Sequence, residues 1–245
     1  ARPFSTRSAL LQETEIVMPV ISPAAITSVL FDLDGTLVDT AADFAAVLDE
    51  MTAAAGIAPV SPQAVHQTVS NGARALVELA FGIDEQDTRF KALHTNLLAL
   101  YGDRILQTRS TLYPGMERLL NFLEQQGIHW GVVTNKPEQF SIPLLRSLGL
   151  LKRCQTLICP DHVTLTKPHP EPLLLACRQL GCEPSAGVYV GDHPRDICAG
   201  QQAGMYTIAA AYGYVPVAPP VTDWGADMIV SHVNEITEWL ESVGR

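Results

Sequence analysis

Short apolar runs alternate with amphipathic stretches over the second half of the chain, regularly enough to predict an architecture. Helical patterns at 116–126, 140–148, 171–180 and 196–203 each close on a glycine: Gly127, Gly149, Gly181 and Gly204. Glycine just past a helix is the preferred left-handed terminator. Strand-like runs follow at 130–133, 156–159, 188–190 and 207–210, then a short one at 227–230 and a closing helix at 235–243. This alternation predicts βαβ units, hence an α/β fold whose mainly parallel sheet is covered by helices and binds ligands at its strand ends.

The first half reads differently. An apolar run at 26–30 predicts one strand, after which 43–113 carries helical patterns (44–55, 63–69, 74–81 and 89–101) and no convincing strand. We therefore expect a core from 26–42 and 114–245, with 43–113 inserted as an all-helical cap over the strand ends, placed to exclude water. Residues 1–25 read as an N-terminal extension, a leader or an addition upstream of a start at Met18. Pro19 and Pro23 interrupt its uncharged stretch, which falls short of the ~20 apolar residues of a membrane span. Glu13 and Glu15 stand where a secretory signal is apolar.

Composition narrows the partners. The chain has 245 residues, 47% hydrophobic and 17% charged, as in an ordinary packed globule. A formal net charge of −10 argues against nucleic acid and anionic membranes. The five cysteines contain no C-x-x-C pair, so buried thiols in a reducing, cytoplasmic setting are expected rather than zinc. Monomer and dimer both stay open.

The chemistry concentrates at Phe31-Asp32-Leu33-Asp34-Gly35-Thr36, where a strand turns out of the sheet. Two residues apart on extended chain, Asp32 and Asp34 project to one side. Paired carboxylates repel and call for a cation, and Mg²⁺ suits oxygen ligands that leave it several waters. An acidic turn capping the next helix through Asp39 or Thr40 is the plainer alternative. Three later strand ends add Thr134-Asn135-Lys136, Thr166-Lys167-Pro168 and Gly191-Asp192 through Asp196. On one parallel sheet they converge on the Asp32 turn.

Each residue type has a job in phosphoryl transfer. Asp32 is the candidate nucleophile, and Asp34 the candidate acid for the leaving alkoxide, then base for water. Asp32, Asp34 (through its carbonyl) and Asp192 are candidate metal ligands, with Asp196 a further ligand or a supporting acceptor. Thr134, Asn135 and Lys167 are candidate phosphate binders. Asn135 and Lys136 read equally well as turn chemistry. In the insertion, the glycine-hinged loop Ser70-Asn71-Gly72-Ala73-Arg74 is the candidate substrate selector; a helix-capping turn with a solvated arginine is its alternative.

Over about Ile26 to Val243 the chain resembles the haloacid-dehalogenase superfamily of phosphatases with a helical cap. Asp32-Leu33-Asp34-Gly35-Thr36-Leu37-Val38-Asp39 looks like its first motif, Thr134 its second, Lys167 its third, and Gly191-Asp192 through Asp196 its fourth. The resemblance implies a Rossmann-like three-layer core and Mg²⁺-dependent hydrolysis of a small phosphorylated metabolite through Asp32. Further strings are similar to the phosphoglycolate phosphatase branch and its N-acetylmuramic acid 6-phosphate members: Trp130 through Pro137, Cys159 through Thr164, Tyr212-Gly213-Tyr214 and Trp224 through Asp227. His193-Pro194 departs from the usual fourth motif, although proline suits a first helical turn. A sugar phosphomutase would use the same aspartates, and a phospho-receiver domain also has an acidic strand end, a Thr and a Lys. A receiver needs about half this length, and Asp34 would hasten loss of its phosphoryl group.

Overall fold

In a computed structural model, residues 26–243 are described; the expected N-terminal extension lies outside them. Six parallel strands form the sheet in the order β5-β4-β1-β6-β7-β8. The central strand β1 (Ser28–Phe31) pairs with β4 (His129–Val133) on one side and β6 (Gly187–Gly191) on the other. Beyond them lie β5 (Leu157–Ile158), β7 (Tyr206–Ala210) and β8 (Met228–Val230). All four residues of β1 are buried, because helices cover both faces of the sheet.

Side chains of β1 alternate between two cores. Val29 and Phe31 join Trp130, Val132 and Val190 beneath α5 (Met116–Gln126) and α9 (Val233–Val243). Leu30 joins Val133, Ile158 and Tyr189 beneath α7 (Glu171–Leu180) and α8 (Pro194–Ala203). The result is a three-layer α/β core, at roughly 1.5–3 kcal/mol of transfer free energy for each fully buried Val, Leu or Phe. Strand order reverses about β1, so the carboxyl ends of β1, β4 and β6 frame a crevice.

The inserted segment runs through α1 (Ala41–Ala55), α2 (Pro62–Thr68), α3 (Gly72–Phe81) and α4 (Phe90–Ile105). Its buried Val65, Val69, Leu76 and Leu97 belong to the same apolar cluster as the α5 face of the sheet. One strand does occur within 43–113. β2 (Val38–Asp39) and β3 (Thr111–Leu112) form an antiparallel ribbon that ties the exit of the insertion to its return. Two residues are too few for a period-2 pattern to register in the sequence.

The join is pinned twice more. The buried Asp43 carboxylate accepts from Arg109 N at 2.9 Å and Ser110 Oγ at 2.6 Å, and also from Thr108 Oγ1. The Tyr214 hydroxyl accepts from Thr40 N at 2.6 Å and Ala41 N at 2.8 Å, and donates to Asp39 Oδ1 at 2.6 Å. It thus satisfies the open amides at the start of α1. Asp39 shares the task through Ala41 N at 3.2 Å, whereas the Thr40 side chain makes no cap and turns to Asp34.

Candidate active site

Asp32 follows the last residue of β1 and still donates its amide to Val190 O at 2.9 Å. The chain then turns sharply at Gly35, with φ of 81°. A Cβ at Gly35 would lie 2.0 Å from Asp192 Oδ2, so the turn and the end of β6 approach as closely as only glycine permits. Gly213 is confined likewise: its Cβ would stand 2.1 Å from Gly35 O.

Asp32, Asp192 and Asp196 each offer a carboxylate oxygen within 4.8 Å of the others. Asp192 and Asp196 are fully buried. Lys167 reaches in from the loop before α7 and ion-pairs with Asp32 Oδ1 at 2.9 Å and Asp196 Oδ1 at 2.8 Å. It also donates to Val133 O at 3.0 Å and Tyr189 Oη at 2.8 Å. Burial alone would lower the Lys167 pKa, but the Asp196 and Asp32 charges outweigh it and raise the value, so the ammonium is kept. Burial pushes Asp32 up to about 6 against the opposing pull of Lys167. Asp192 is raised well above the carboxylate range by burial and then by the charges of Asp32 and Asp196. Three crowded oxygen donors with one ammonium fit a hard divalent cation.

Asp34 stands apart from that triad. Its carboxylate takes Lys136 Nζ at 2.9 and 3.1 Å and Thr40 Oγ1 at 2.6 Å. The clustered carboxylates are therefore Asp32, Asp192 and Asp196, and any metal contact from Asp34 would come from its carbonyl. Thr134 lies at the end of β4 and accepts from Lys136 N at 3.1 Å, while Asn135 Nδ2 donates to Lys167 O at 3.0 Å. Pro194 opens α8, where His193 and Asp196 form a reciprocal cap. Asp196 thus serves the helix start and the cluster together.

The Ser70 loop meets this end of the core. Ser70 Oγ donates to Asp192 Oδ2 at 3.3 Å, and Ser70 O accepts from Arg195 Nη2 at 2.8 Å. Burial, and then the Arg195 charge, pull the His193 pKa down to about 4. Its Nδ1 accordingly accepts from Arg195 N at 3.1 Å and Arg195 Nε at 3.0 Å. Arg74 borders the same cavity but ion-pairs with Glu85, its side chain 65% exposed.

Between core and insertion lies a cavity of about 360 Å³. Phe44, Leu98, Tyr101 and Phe140 give it an apolar wall; Asp32, Asp34, Thr134 and Lys167 form its polar end. Lys136 was read in the sequence only as part of the polar turn after Thr134, and nothing local marked it as the partner of Asp34. Arg195 and Tyr214 gave no signal of their contacts. The Tyr214 hydroxyl meets Thr40 across 174 positions of sequence.

The family description "Haloacid dehalogenase-like hydrolase" matches residues 29–210. The chain belongs to this family of hydrolases. Over 216 residues it is 46% identical to an N-acetylmuramic acid 6-phosphate phosphatase of Pseudomonas aeruginosa, an alignment covering 88% of this chain and 95% of that protein. It is 39% identical to a phosphoglycolate phosphatase of Xanthomonas campestris over 86% of this chain and 95% of that one. The crystal structure of a predicted phosphoglycolate phosphatase from Haemophilus somnus 129PT superposes with a TM-score of 0.77 at 27% identity, covering 88% and 98% of the two chains.

Proposed function

We propose that this protein is a Mg²⁺-dependent phosphatase of a small metabolite, N-acetylmuramic acid 6-phosphate, acting through an aspartyl phosphate on Asp32. One observation carries the chemistry: Lys167 locks one oxygen of Asp32 into a buried cluster of three carboxylates. Asp32 Oδ1 also accepts from Leu33 N at 2.7 Å, so Oδ2 is the oxygen left to attack phosphorus. The ester P–O bond breaks as the Asp32–phosphorus bond forms, and Asp34 gives its proton to the departing alkoxide. Asp34 then takes a proton from water, which attacks the aspartyl phosphate and releases inorganic phosphate. Lys167 and Thr134 hold phosphoryl oxygens at the buried, polar end of the cavity. Asp32, Asp192 and the Asp34 carbonyl would hold Mg²⁺, with Asp196 supporting; bound there, it neutralises charge on the transferring group.

Two observations support the larger ester. The relative at 46% identity bears that activity in its name. The cavity of about 360 Å³ also falls in the ~300–1,000 Å³ range of pockets that enclose drug-sized ligands, ample for an amino sugar. Residues 43–113 act as a cap whose loop Ser70-Asn71-Gly72 and Arg74 read the sugar and its carboxylate. Five free thiols fit a reducing compartment, and the cytoplasm belongs to the same proposal. Among the described residues no helix is long and apolar enough to cross a membrane.

Comparing kcat/KM for N-acetylmuramic acid 6-phosphate, 2-phosphoglycolate and common sugar phosphates with Mg²⁺ tests the assignment; a preference for 2-phosphoglycolate reverses it. Asp32→Asn lowers kcat by ~10⁴-fold or more with circular dichroism unchanged. A near-normal rate in that variant means another group attacks phosphorus.

A further inference from the structure

Lys136 is a buried cation that the phosphoryl-transfer steps do not use. Its side chain is 6% exposed, and its Nζ lies 5.1 Å from the Phe44 ring centroid and 4.6 Å from that of Tyr101. Both of its side-chain hydrogen bonds go to Asp34. An ammonium carries more donors than one carboxylate engages, and Lys136 borders the cavity. Beside it the Tyr101 hydroxyl, also buried and on the same wall, has no hydrogen-bond partner. A buried polar atom left unpaired costs free energy that a bound acceptor recovers.

We propose that Lys136, with the Tyr101 hydroxyl, is a specificity-determining pair that binds an oxygen borne by the carbon next to the ester carbon of the substrate. The inference rests on the phosphatase reading above and adds to it where the leaving group is read. Asp34 must lie within hydrogen-bond reach of the ester oxygen to protonate it. Lys136 Nζ lies 2.9 Å from Asp34 Oδ1, which sets the ammonium beside the first carbons of the leaving group. Two substrate chemistries supply an acceptor there: the carboxylate of 2-phosphoglycolate, and the ring oxygen of a hexose 6-phosphate. The cap arginine, Arg74, is engaged with Glu85.

The test pairs esters with and without an acceptor on that carbon: a carboxylate against a methyl group in the first pair, and a ring oxygen against a methylene in the second. One pair is 2-phosphoglycolate and ethyl phosphate; the other is N-acetylmuramic acid 6-phosphate and its carba analogue, with methylene in place of the ring oxygen. kcat/KM is measured with Mg²⁺ for the wild type, Lys136→Met and Tyr101→Phe. Lys136→Met is expected to shrink the preference for the oxygen-bearing ester by about tenfold or more in at least one pair, the scale of a lost charge-assisted hydrogen bond. The pair that collapses identifies the oxygen. Tyr101→Phe, which deletes one atom, shrinks the same preference by a smaller factor and decides the matter if Lys136→Met does not fold. Equal losses on both members of both pairs would mean that Lys136 serves Asp34 alone, overturning the inference while leaving the phosphatase reading intact. A wild type inert to all four esters overturns both.

Discussion

One lysine and one arginine that border the same cavity, Lys167 and Arg74, sit under opposite conditions. Lys167 belongs to the sheet-borne core, is 1% exposed, and is fixed between two carboxylates, a carbonyl and a phenol. Arg74 belongs to the inserted helices, is 65% exposed, and is tied only to an exposed glutamate. In the core a charge is trapped by its surroundings, so its position is dictated to within a hydrogen bond. On the insertion the exposed Arg74–Glu85 pair is open to solvent on both sides, so its charge is free to re-pair. If the proposed function holds, catalytic placement falls to buried, multiply bonded charges and substrate reading to exposed ones.

Substitutions can break that contrast. The largest loss of stability is expected from Lys167→Met, which strands Asp32 and Asp196 without their cation and costs ~3–5 kcal/mol. Urea denaturation measures it, and a change below ~1 kcal/mol would mean the cluster is not held as an ion-pair network. Gly35→Ala is next at roughly 3 kcal/mol, since a methyl group must displace Asp192 and the backbone sits in a left-handed conformation. Gly56, which ends α1, shares the left-handed conformation, but a Cβ there meets nothing within 4 Å. Gly56→Ala therefore costs only ~1 kcal/mol and spares kcat. Equal costs at the two glycines would contradict the close approach at Asp192. Arg74→Ala is the mildest for stability, below ~0.5 kcal/mol because the pair it breaks is exposed. Its expected effect is a raised KM for carboxylated esters; an equal rise on neutral sugar phosphates would remove Arg74 from recognition.

Much of the core was legible because its pattern is redundant. The bounds of α5 and α7 agree with the apolar periodicity and terminal glycines, and the helix containing Asp196 starts at Pro194, where the ring costs no hydrogen bond. Strand ends carrying Asp32, Thr134 and Asp192 could be read as convergent because parallel strands present their carboxyl ends together. Less legible was anything settled by one contact between distant segments. The β2–β3 ribbon, the Asp43 clasp on residues 108–110 and the Tyr214 hydroxyl on α1 leave no periodic trace. Asp34 shows the same limit: its spacing from Asp32 suggested a shared metal, yet Lys136 holds its carboxylate apart.

By itself the sequence determined the helices and main-sheet strands of the core and which side chains sit near their ends, since both follow from local periodicity and turn chemistry. Tertiary structure alone decided which carboxylates share Lys167, which one pairs with Lys136, and how the Ser70 loop meets Asp192. Those outcomes depend on distances between segments far apart in the chain. Burial there makes each charge seek the nearest partner of opposite sign, and local sequence carries no measure of that distance.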